Sequence, residues 1–344
     1  MRAIAALGGA LALVIAAVVA RGMLDDDDGS AAGGDIRVVC PRELEGPCGS
    51  LGGDATVRIE DAESTAAALA GAGEADDVDA DVWVVPAPWG ELVADQRARA
   101  GLPGLVGDPS EAVARSPVAL VVYADRAAAL EDGACAGGVT WRCLGEAAER
   151  SWSEVGGEVG GDIPGRVKVG ITDPDTSTGL VVLGGATAGY FDTADYAAND
   201  FDSAWSQWLG ALGARADEAA AGDVVNTLLT AGAAQFAAVG ALEVEARQVT
   251  TAGRDDVRVI YPAPVATADL VAIPIGASSA AATAARDVAA DGDLRAALAE
   301  AGWRVTGEDL AAGVDGSIEL PDDDGLPSGG VLGALAARWK DATG

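Results

Sequence analysis

The segment Asp81-Val-Trp-Val-Val-Pro86 limits the fold most: four consecutive apolar residues run until a proline stops them. A run this short and continuous reads as a buried-type strand, not as an amphipathic helix. Comparable runs recur along the chain at Ile36–Cys40, Ser116–Tyr123, Val167–Ile171, Asp256–Tyr261 and Asp269–Ile275. Ala55–Ile59 alternates and reads as a half-buried strand. Gln235–Val239 and Glu243–Gln248 are further candidate strands. Between them lie Ala-rich stretches of good helix formers, among them Glu63–Ala72, Glu91–Ala100, Trp141–Val155, Leu180–Tyr190, Ser203–Leu212, Asp217–Ala231, Ser279–Ala290 and Ser328–Ala342. Strands alternating with helices predict an α/β sheet. No internal repeat or sustained heptad interrupts that pattern, and the acidic, Pro- and Gly-marked stretch Asp309–Leu326 reads as loop.

Composition removes several functions. The 344 residues contain no His, which excludes Ser-His-Asp and Cys-His catalysis and any imidazole metal site. A formal net charge of −32 repels phosphate backbones and argues against nucleic-acid binding. Half the residues are hydrophobic, which argues against global disorder. With only Lys168 and Lys340 available, a Ser-Lys pair has little to draw on. A glycosidase-type carboxylate pair cannot be located among 54 acidic residues. The chain therefore reads as a non-enzyme, without a cofactor.

Ala3–Ala20 is an 18-residue apolar run, just long enough to cross a bilayer core of about 30 Å. Arg2 precedes it and the Asp25–Asp28 run follows, which orients the rest of the chain outward. Residues 1–24 read as a membrane anchor or a signal segment cut after Val18-Val19-Ala20, and residues 25–34 as an acidic linker. The expected location is extracytoplasmic, anchored or secreted. No Cys follows the run closely, so a lipid anchor is not indicated.

The cysteines agree with export. Cys40/Cys48 and Cys135/Cys143 share one short spacing, unlike the C-x2-4-C of zinc sites. Of the three possible connectivities, two local disulfides are expected. The acidity reads mainly as a solvated surface. Neither Asp77-Val-Asp79-Ala-Asp81 nor Asp173-Pro-Asp175-Thr-Ser177 meets the Gly and Glu positions of a calcium loop, so no metal is expected.

Val167–Phe191, VKVGITDPDTSTGLVVLGGATAGYF, is the most informative segment. A strand delivers a polar turn to a helix start, where free backbone N–H groups and the Thr176, Ser177 and Thr178 hydroxyls can hold a polar or anionic group. Asp, Ser and Thr are also ordinary helix caps, and taken locally that reading is the simpler.

The order of segments adds weight to the first reading. IRVVC, ADVWVVPAPW, RSPVALVVYAD, VKVGITDPDTSTGL, VRVIYPAPVATADLVAIPI and AGWRV together resemble the type 2 periplasmic-binding-protein fold of extracellular solute-binding proteins, over roughly Asp35 to Lys340. The resemblance is strongest to actinobacterial modules found ahead of von Willebrand factor A domains. It implies two α/β lobes with a ligand cleft and a hinge of two chain crossings. Lobe one is expected at 35–115 plus 262–344 and lobe two at 116–261. The same resemblance implies ligand contacts at Arg42, Glu43, Trp89, Ser116, Thr176, Ser177, Thr178 and Tyr261. Arg42 could pair an oxyanion and Trp89 could stack on a ligand, but each has an ordinary structural alternative.

The function implied is capture of a small polar solute by lobe closure, for an ABC-type importer with its permease. This requires differential affinity for the closed state and no chemistry. The alternative is a membrane-anchored envelope interaction or sensor module on the same fold. A monomer is expected.

Overall fold

The structure, a computed structural model, describes residues 36–53, 55–219 and 223–344. The apolar run at 3–20, the linker at 25–34 and Asp35 lie outside the described residues. Among the described residues no helix is long and apolar enough to cross a membrane.

Among the described residues eight strands form two sheets joined through a shared strand: β1 (Ile36–Cys40), β2 (Ala55–Ile59), β3 (Val82–Pro86), β4 (Ala114–Tyr123), β5 (Val169–Ile171), β6 (Ala238–Leu242), β7 (Val257–Ile260) and β8 (Thr267–Pro274). Their order is β2-β1-β3-β8-β4-β6-β5, with β7 also paired to β4. β1 pairs in parallel with β2 and β3, while β8 lies antiparallel between β3 and β4. All five residues of β3 are buried, as a strand covered on both faces requires.

β4 belongs to two sheets. Its first part, Ala114–Pro117, pairs with β8, whereas Val118–Val122 pair with β6 and Leu120–Tyr123 with β7. The chain returns between lobes after β7, and Val118 N donates to Ala266 O at 2.8 Å, so the two crossings lie side by side. Arg115 braces this region by donating to Asp269 Oδ1 at 2.8 Å and to the Pro321 and Asp323 carbonyls.

Ten helices of eight or more residues surround the sheet among the described residues: α1 (Ala62–Gly71), α2 (Pro88–Arg99), α3 (Ala124–Asp132), α4 (Ser177–Phe191), α5 (Ser203–Leu212), α6 (Val224–Ala231), α7 (Glu243–Thr251), α8 (Ser279–Ala290), α9 (Gly292–Ala301) and α10 (Gly329–Thr343). α4 is apolar all round, so it is stable only when enclosed, and it is buried from Ser177 to Gly189. Gly185 lets it lie on both crossings: a Cβ there would sit 3.0 Å from Ala266 Cβ and 3.1 Å from Val118 Cγ2.

α10 touches both lobes. Gly329 N donates to Glu91 of α2 at 3.0 Å, and a Cβ at Gly333 would lie 2.8 Å from Leu92. At its other end Thr343 and Trp339 pack on Gly213, which follows α5. The disulfides are Cys40–Cys48 and Cys135–Cys143.

Three local expectations fail. Glu243–Gln248 is helical, because burial falls on Glu243, Ala246 and Val249 at three-residue spacing instead of alternating. Trp141–Val155 is broken into Trp141–Ala147 and Trp152–Val155, with Glu149 between them at φ 60°. Within Asp217–Ala231, Ala216–Ala219 and Val224–Ala231 are separate helical pieces.

Candidate functional site

The parallel strands of each lobe carry their C-terminal ends toward the other lobe. β1 leads into the loop of Arg42 and Glu43, and β3 leads into α2 with Trp89 in its first turn. From lobe two, β5 leads through Thr172–Thr176 into α4, and β6 leads directly into α7. Ligands of open α/β sheets sit outside such strand ends.

The turn before α4 is built by its own side chains. Thr176 Oγ1 accepts from Gly179 N at 3.1 Å and donates to Asp173 O at 2.6 Å. Only glycine fits at 179, since a Cβ would lie 1.8 Å from Asp173 O. Helix starts leave backbone N–H groups without intrahelical partners. Here Ser177 N donates to Glu43 Oε1, from the opposite lobe, at 3.1 Å. Trp89 Nε1, also from lobe one, donates to Ser177 O at 3.0 Å. Ser177, Thr178 and Trp89 are all buried by this closure.

Thr178 Oγ1 donates to Glu245 Oε1 at 3.1 Å, and Leu242 N donates to Glu245 Oε2 at 2.8 Å. Glu245 keeps some surface exposed, but its carboxyl lies in a dense protein surrounding. Burial pushes it up to about 7; Asp223 and Glu43 add to the rise, and the two hydrogen bonds oppose it. Ser116 is fully buried at the first crossing, where its Oγ accepts from Val244 N at 3.1 Å.

Tyr261, at the second crossing, donates to Glu243 Oε1 at 2.6 Å, and burial raises its phenol far above the ordinary range. Glu243 also receives Arg304 Nε and Nη2 at 2.7 and 2.8 Å and Asp315 N at 3.2 Å. Arg42 is turned elsewhere: it pairs with Asp61 at 2.5 Å on the surface and holds that carboxyl below its usual range.

The eight residues thus fall into separate groups. Glu43, Trp89, Ser177 and Thr178 meet between the lobes, with Thr176 capping beside them. Ser116 and Tyr261 brace the crossings, and Arg42 faces its own acid. The sequence reading missed Glu243, Glu245, Arg304 and Lys340. Glu243-Val-Glu245 directly after a strand was a usable signal for a polar helix start, hidden by the strand reading of that segment.

Next to the Trp89–Ser177 contact lies a cavity of about 270 Å³, lined by Trp89, Leu92, Gln96, Leu180, Ala336 and Lys340 among others. Its walls come from α1, α2, α4 and α10. Lys340 Nζ closes one side by pairing with Glu63 of α1 at 2.5 Å and with Asp175 of the α4 turn at 3.0 Å. No group of three or more His, Cys, Asp or Glu is gathered for a metal ion among the described residues.

Two sheets sharing one long strand, two adjacent crossings and opposed helix starts define a two-lobed periplasmic-binding-protein fold. Solved structures of periplasmic and other solute-binding proteins share it. AfuA from Actinobacillus pleuropneumoniae, with fructose-6-phosphate bound, matches with a TM-score of 0.57 at 13% identity, over 91% of this chain and 99% of its own. Iron-bound HitA from Pseudomonas aeruginosa matches with a TM-score of 0.56 at 12% identity, over 89% and 99%. The sulfate-binding protein SubI from Mycobacterium tuberculosis matches with a TM-score of 0.50 at 17% identity, over 89% and 99%. No family model and no curated protein matches the sequence.

Proposed function

We propose that this chain is an extracytoplasmic solute-binding protein that captures a small polar solute between its lobes and hands it to an ABC-type permease. The observation that carries the reading is the meeting of the α4 start with side chains of the opposite lobe beside an interlobe cavity. A group seated there would meet the positive end of a helix dipole in an otherwise acidic protein. The neighbours' fold supports it: AfuA is described with a sugar phosphate, HitA with iron and SubI with sulfate.

In this proposal lobe one comprises 35–115 and 262–344, and lobe two 116–261. Glu43, Trp89, Thr176, Ser177 and Thr178 line the cleft, while Ser116 and Tyr261 serve the crossings. Arg42 would have to leave Asp61 to reach a solute. The protein acts as a monomer, held at the membrane through residues 3–20 or released after their cleavage. Kinship with actinobacterial modules found ahead of von Willebrand factor A domains remains part of this reading.

Thermal unfolding against a panel of oxyanions, sugars, amino acids and metal ions tests it. A solute that binds only the folded state adds about 2.7 kcal/mol at 100 times its Kd. A shift with one class, lost in the triple variant Thr176→Ala, Ser177→Ala, Thr178→Ala, is expected. A flat response across all classes would overturn solute capture from that panel.

A further inference from the structure

We infer that Glu43 is a built-in closing group, which holds the two lobes together when no solute is present. The inference rests on the solute-binding reading and adds to it an internal competitor for opening. Four observations carry it. Glu43 Oε1 takes the Ser177 amide at 3.1 Å across the cleft, where the start of α4 favours a negative group. The same Ser177 is held from its other side, its carbonyl taking Trp89 Nε1 at 3.0 Å, so lobe one grips both backbone polar groups of one lobe-two residue.

Glu43 also lacks an ion-pair partner among the described residues, because the adjacent Arg42 is committed to Asp61. The charged groups near it are Arg42, which attracts it without an ion pair, and Glu245 across the cleft, which repels it. Among the described residues its carboxylate accepts one hydrogen bond, the one across the cleft. Finally, Glu43 lies within the ring closed by Cys40–Cys48, which ties its loop to the end of β1. The ring limits how far Glu43 can follow Ser177 when the lobes part, so opening breaks the bond.

A solute must then enter against this contact, and its affinity is set by what it gains over Glu43. A hydrogen bond to a charged group is worth enough to move the closed-to-open ratio by roughly tenfold. The test reads lobe separation by single-molecule fluorescence energy transfer on the solute-free protein. Dyes are placed through Asp287→Cys on α8 and Glu146→Cys after Trp141, both exposed and neither among the residues named at the cleft. All four native cysteines are in disulfides, so only the introduced thiols react.

The expected order of closed population is native, then Glu43→Gln, then Glu43→Ala, with a roughly tenfold fall in the closed-to-open ratio for the last. Circular dichroism confirms that each variant is folded. Identical separations in native and Glu43→Ala proteins would overturn the closing role, even if a solute is found. Opening in Glu43→Ala beside a flat thermal panel would uphold the closing role while removing the solute reading.

Discussion

Arg304 grips Glu243 across the hinge with two hydrogen bonds of 2.7 and 2.8 Å, and Glu243 is only 1% exposed. Arg304 comes from the segment that bridges to Arg115 of β4, while Glu243 opens α7 of lobe two. Removing one partner strands a buried charge. Arg304→Met is expected to cost about 3–5 kcal/mol, and the double variant with Glu243→Gln to recover much of it. Denaturant unfolding of the two variants measures this. A single-variant loss below about 1 kcal/mol would show that Glu243 finds other compensation.

Glu245 makes stability depend on pH. Its carboxyl is raised to about 7 in the folded protein, above an unfolded value of about 4.3. Its protonated form is therefore favoured by folding. The contribution is complete below the unfolded value and is lost as pH rises through about 7, up to about 4 kcal/mol as an upper bound. Asp324, raised to about 6 mainly by burial, acts in the same direction over a lower window. Glu245→Gln should flatten the fall in melting temperature between about pH 4 and pH 7, leaving the share of Asp324. An unchanged profile would count against the enclosed state of this carboxyl.

Gly179→Ala tests the α4 turn. The added Cβ would meet the Asp173 carbonyl at 1.8 Å, so the turn must move or the helix start must shift. A loss of about 2–4 kcal/mol is expected from this backbone clash. If the proposed solute site is at this turn, binding falls with it, since Ser177 and Thr178 are displaced. Calorimetric unfolding of the variant reads the first effect.

The paired change Cys135→Ser, Cys143→Ser opens a small loop in lobe two. A loop closed over a sequence separation of 8 limits the gain that the bond confers in the unfolded chain, and a loss of about 2–3 kcal/mol is expected. Urea unfolding checks it. A loss near zero would assign the bond to local shape alone.

Much of the fold was legible because its strands are short apolar runs with sharp ends. Val82–Val85 stops at Pro86, and the strand before the α4 turn ends in a run of Asp, Pro, Ser and Thr. The α7 start was not legible. Glu243, Val244 and Glu245 alternate like a strand, and only the contacts of Glu243 with Arg304 and of Glu245 with Thr178 show why acids face inward there. The role of Arg42 was equally hidden, since its partner Asp61 lies beyond β2. Lys340 could not be placed from sequence because its two partners, Glu63 and Asp175, come from different lobes.

β8 lies between β3 and β4, which do not pair with each other, and it occupies residues 267–274. As the chain emerges from a ribosome or a translocation channel, everything that β6 and β7 need is available before β8 appears. Lobe two can therefore consolidate first, while β3 waits with an open flank for a strand encoded about 180 residues later. That wait is the vulnerable interval in the protein's biogenesis. A chaperone or channel that delays release until β8 has arrived would protect the apolar flank of β3 from pairing with other chains.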